Sequence, residues 1–147
     1  MKNRVTSLSD QKTQNVFFKR LLTSTITGAA AFWFTDLAVS ISPIAAYYKA
    51  AFSISYLPMA LAEALFGGVI VSFLVSYFLL RFFDRIPTKN IIMKSMILSF
   101  ITLATIEIVS TFVIPANALV YLLVDTILNA PRFLALGIVV GLFLSKS

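Results

Sequence analysis

Four apolar runs, residues 21–42, 57–80, 91–114 and 118–144, take up most of the chain and leave little freedom in how it can fold. Each has the roughly 17–25 residues that a helix needs to cross the hydrocarbon of a bilayer. Inside hydrocarbon an open chain must pair its own N–H and C=O groups, and a helix does so within one segment. The expected fold is therefore all-α, an integral membrane bundle of four transmembrane helices with the N- and C-termini cytoplasmic. Composition agrees, since 59% hydrophobic against 12% charged in 147 residues is too apolar for a soluble domain of that size. Two regions follow: a basic cytoplasmic tail with an interfacial lead-in over 1–20, and a four-span membrane domain over 21–147.

The tail carries Lys2, Arg4, Lys12, Lys19 and Arg20 against the single acid Asp10. It is expected to start disordered and to become a short surface helix at Val16-Phe17-Phe18-Lys19-Arg20, apolar and then basic. A cleavable signal over 21–31 is the weaker reading, because the apolar run continues to Ile41 and so has the length of a full span. Between Pro43 and Pro58 the tyrosines Tyr47, Tyr48 and Tyr56 with Phe52 suit a segment lying at the outer headgroup level. The inner connection RFFDRIPTK, residues 81–89, turns at Pro87, and Lys94 is placed to reach back to it. Pro115-Ala116-Asn117 is a short outer link that makes the last two spans antiparallel neighbours.

Orientation follows from where the cations lie. Of the 12 Lys and Arg, five are in the tail, four are at the inner connection counting Lys94, and Lys146 is near the C-terminus. Arg132 lies within the membrane and only Lys49 falls outside, so the positive-inside bias puts both termini in the cytoplasm. The net charge of +6 is thus accounted for by topology, and nucleic acid is not an expected partner.

Small residues mark the packing seams. Ala60, Ala64, Gly68, Ser72 and Ser76 recur every fourth residue along the second span, and Gly137 and Gly141 repeat the spacing on the fourth. Such stripes let another helix come close enough for dispersion to hold it, within the chain or across a dimer axis.

Against this apolar background stand Asp125, Asn129 and Arg132, at i, i+4 and i+7 on one helix face beside the helix-breaking Pro131. A charge at such depth costs about 2.5–3.5 kcal/mol, so these groups need partners. Each span holds one acid, Asp36, Glu63, Glu107 or Asp125, and each acid lies roughly 8–12 Å in from the outer end of its helix at 1.5 Å per residue. The expectation is one polar layer in which Arg132 meets Asp125 directly or through a carboxylate of another span. Fully ionised, four acids and one arginine would carry −3, so protons, cations or water must enter the layer. Pro131, lacking an N–H, is expected to bend the helix and free the Ile127 carbonyl.

Cysteine and histidine are both absent from the sequence, which removes thiol redox chemistry, imidazole acid–base catalysis and the usual zinc and haem ligand sets. No cofactor or metal is expected. An aspartyl protease built on Asp36 and Asp125 lacks any supporting motif, and no nucleophile stands beside a base, so the chain reads as a non-enzyme. What remains is a multi-pass protein of the cell membrane, a proton- or cation-coupled transporter of a small solute acting as a homodimer or larger homo-oligomer. The alternative is an accessory or assembly subunit whose polar spans pair with those of a larger membrane complex.

Overall fold

The computed structural model describes residues 2–43, 57–113 and 118–146. They form four long helices, α1 (Lys2–Ser40), α2 (Leu57–Arg81), α3 (Ile91–Val113) and α4 (Ala118–Ser145), with a 3₁₀ turn at Phe83–Arg85 between α2 and α3. The aromatic segment expected at the outer surface, with Lys49, and the Pro115-Ala116-Asn117 link lie outside the described residues.

Three helices are long and apolar enough to cross a membrane, over Leu61–Arg81, Ile91–Ser110 and Leu122–Ser145. α1 is not among them, and this corrects the expectation of four equivalent spans. Its apolar half is diluted by Thr23, Ser24, Thr25, Thr27, Thr35 and Asp36. Several of those hydroxyls bond back to helical carbonyls, Ser24 to Arg20 at 2.7 Å, Thr27 to Thr23 at 2.9 Å and Thr35 to Ala31 at 2.8 Å. Polar side chains satisfied in this way can sit against other helices at little cost. α1 also begins at Lys2 and runs for 39 residues, so the segment expected as a disordered tail is helical.

α3 starts where its sequence provides a cap. Asn90 Oδ1 accepts the Ile92 N–H at 2.9 Å, filling one of the free donors at a helix start. Lys94, buried at 4% exposure, reaches back to the connection: Nζ donates to the Phe83 carbonyl at 2.5 Å and lies 3.5 Å from the Phe83 ring centre.

Neighbouring helices run antiparallel, and each small-residue seam is used inside the chain. Along α1 and α2, Ser72 Oγ donates to the Thr25 carbonyl at 2.9 Å and Gly68 faces the Phe32 ring. Between α3 and α4, Gly137 lies against Met96 and Ser99, and Gly141 against the Ile92 backbone. α1 meets α4 as well: a side chain at Gly28 would collide with Ser72 Oγ and Val140 Cγ2. The partner of Gly137 and Gly141 is thus the third helix, neither the second span nor a dimer axis. Gly67 is different, because a Cβ there would meet nothing within 4 Å. Gly67→Ala is expected to raise stability by about 0.5–1 kcal/mol through helix propensity, measured as a shift in the SDS unfolding midpoint in mixed micelles.

One apolar core ties the four helices together. Phe32 and Phe133 meet edge to face at 5.3 Å, and Val75, Leu79, Leu103, Leu136 and Val140 surround the same axis. Beyond this core, the next buried groups along α1 and α3 are the acids Asp36 and Glu107.

Candidate functional site

α4 supplies three polar residues to one face because Asp125, Asn129 and Arg132 are spaced at helical intervals. The Arg132 side chain leans towards the helix N-terminus, as helical side chains do, and Nη1 donates to Asn129 Oδ1 at 2.5 Å. Its other terminal nitrogen, Nη2, lies 2.6 Å from Asp36 Oδ1 on α1. The Asn129 amide nitrogen in turn donates to Glu107 Oε1 on α3 at 3.1 Å. A continuous polar bridge therefore crosses the bundle, Asp36 to Arg132 to Asn129 to Glu107, joining three helices. Asp125 completes it, within interaction range of Glu107, Asn129 and Arg132.

The bridge is well shielded. Asp36 and Glu107 are each 3% exposed, while the Arg132 side chain is 19% exposed. Charge-assisted bonds at such distances are roughly twice as strong as neutral ones, and low surrounding polarity strengthens them further. Three carboxylates still face one guanidinium, a net of −2 when all are ionised. Two buried atoms, Glu107 Oε2 and Arg132 Nε, have no hydrogen-bond partner among the described residues. Asp125 interacts with Glu107, and two carboxyls can bond each other only when one of them holds a proton.

Of the two routes open to Arg132, directly to Asp125 or by way of a carboxylate on another span, the ion pair it makes is with Asp36 on α1. Glu63 does not join the layer: it is exposed on α2, outside the bridge that holds the other three acids. α4 continues as helix through Pro131 from Ala118 to Ser145, and Pro131, having no N–H, leaves the Ile127 carbonyl without its usual donor. Pro131 itself is exposed, on the face away from the bridge.

Two contributors had no signal in the sequence. Trp33 donates its indole N–H to the Leu61 carbonyl at 3.0 Å, tying the outer part of α1 to α2 one turn before Asp36. A groove of about 280 Å³ runs along the α3–α4 contact, lined by Phe100, Ala104, Ile108, Leu122 and Thr126, and Glu107 forms part of its wall. An aromatic amphipath such as Trp33 could have been read as an anchor; the groove depends on helix rotation, which spacing alone does not reveal.

The chain matches no family model, no curated protein and no solved structure. The bridge is interpreted from its own geometry.

Proposed function

We propose that this is a non-enzymatic, multi-pass protein of the cell membrane that transports a small solute or cation coupled to protons or another cation, working as a homo-oligomer with cytoplasmic termini. The observation that carries the reading is the buried bridge of three carboxylates, one amide and one guanidinium. When all are ionised, its acids exceed its one guanidinium. In an apolar bundle that excess is relieved by taking up protons or a cation, and a carboxyl that loads and unloads is what coupled transport requires. Coordinating groups close to the bilayer middle, shared between packed helices, are also where transporters hold their cargo.

Both small-residue seams are occupied within the chain, so self-association would use another surface. The exposed face of α2, with Phe66, Val69, Ile70 and Phe73, supplies one. Glu63, also on the exposed side of α2, favours a second reading. A carboxylate facing outward on a membrane helix suits pairing with a cation of another membrane protein, which is the role of an accessory subunit.

Proton flux into proteoliposomes separates the two. With an internal pH dye and a panel of small carboxylates, amines and metal cations, the transporter is expected to give substrate-dependent flux. Glu107→Gln and Asp125→Asn should each reduce that flux at least tenfold while folding and oligomer size are kept. A folded protein with no flux for any solute overturns the transport reading in favour of the accessory one.

A further inference from the structure

We propose that the α3–α4 groove binds an amphipathic organic monocation, its apolar body lying along the groove and its charged head at the Glu107–Asp125 pair. The inference rests on the transport reading and names a cargo class for the same site.

Three observations lead to it. The groove walls named above are apolar apart from Thr126 and Glu107, and Phe100, Ala104 and Ile108 are exposed on the outer surface of the bundle. In a membrane that surface meets lipid, so the groove is open to a molecule already dissolved in the bilayer. Glu107 contributes to the groove wall, is nine-tenths buried or more, and has one carboxylate oxygen with no hydrogen-bond partner among the described residues. Charge decides the sign of the ligand. The bridge's one cation, Arg132, has its ion pair with Asp36, so Glu107 receives an amide bond from Asn129 and faces a second acid, Asp125. A cationic head relieves that pair, whereas an anionic head adds to it.

Size and chemistry narrow the occupant. From Phe100 to Ile108 the groove follows α3 for about 12 Å at 1.5 Å per residue, the length of a short aryl-alkyl chain. A bare ion would leave those apolar walls unused. An ammonium at the end of such a chain uses both, its charge set beside the Glu107 carboxylate while the chain covers the groove. The exchange balances simply: before binding, one carboxyl of the pair holds a proton; when the cation arrives that proton leaves for solvent, and the charge of the site is unchanged.

The test uses the full-length protein in lipid nanodiscs and three probes. These are 4-phenylbutylammonium, 5-phenylpentanoate as the anionic match, and tetramethylammonium as a cation without an apolar body. Calorimetry in two buffers of different ionisation enthalpy reports affinity and protons released. Saturable binding is expected for the first probe alone, with release of about one proton per cation. Two variants separate head from body. Glu107→Gln keeps the Asn129 bond and removes the charge, and Ala104→Trp fills the groove at an exposed position while leaving every acid in place. Each should weaken binding at least tenfold. No saturable binding, equal binding of the anion, or binding unchanged in Ala104→Trp overturns the proposal. Proton-coupled flux of a different solute that persists in Ala104→Trp would also sink it while leaving the transport reading intact. Binding as described, without any flux, would instead remove the transport reading and leave the site standing.

Discussion

Arg132→Met is expected to cost about 3–5 kcal/mol of stability. The reason lies in what is left behind. Arg132 Nη2 sits 2.6 Å from an Asp36 carboxylate that is 3% exposed, and taking the guanidinium away strands that charge among apolar helices. Asn129 loses a donor partner at the same time. Removing both charges should be far milder: in Asp36→Leu/Arg132→Met most of the loss is expected to return, because a buried ion pair contributes little net stability compared with apolar groups of similar volume. The measurement is a double-substitution cycle by SDS unfolding in mixed micelles. Equal losses in Arg132→Met and in the double variant would show that Arg132 stabilises the bundle by packing and not by pairing with Asp36.

The second large effect concerns the α3–α4 seam. A Cβ at Gly141 would lie 2.6 Å from Ile92 Cα and 3.3 Å from Ile92 Cβ, and a backbone atom cannot rotate away. Gly141→Ala should therefore push the start of α3 and the end of α4 apart and cost about 1–3 kcal/mol, the usual range for overpacking. Gly141→Leu, with four times the added carbon, is expected to prevent folding, seen as loss of a cooperative unfolding transition. Because the same two helices carry Glu107 and Asn129, Gly141→Ala should also disturb the bridge from well outside it. A folded Gly141→Leu variant of unchanged stability would mean that the two helices are further apart than described.

How much of this was legible in the residues depends on which coordinate is asked for. Helix limits were, because apolar runs and their polar ends mark length: expected spans over 57–80, 91–114 and 118–144 meet helices at Leu57–Arg81, Ile91–Val113 and Ala118–Ser145. Depth was legible for the same reason, since residue count multiplies directly into height. Rotation about the helix axis was not. Glu63 shares its height with the other acids yet is exposed, and Arg132 chooses Asp36 over Asp125, because both outcomes depend on which neighbour each face meets. The seams illustrate the same limit: a stripe of Gly, Ala and Ser declares a close approach without naming who approaches. α1 shows a further one. Its threonines and Asp36 lower its apolarity, and only packing reveals that they point at other helices.

Asn129 occupies a peculiar position between the two charged ends. Its amide is a donor at one end and an acceptor at the other, so Glu107 and Arg132 hold it in a single orientation. A proton on Glu107 makes its oxygen a weaker acceptor without removing it, and any loosening of the amide there would be felt at the guanidinium. The message then reaches Asp36 on the opposite helix through one side chain. Coupling of this sort is reciprocal by thermodynamic necessity. If the groove takes a cation as proposed, whatever strengthens the pair on α1 would change its affinity by the same amount. A single amide thus joins the two charged sides of the bundle, and its polarity distinguishes one side from the other.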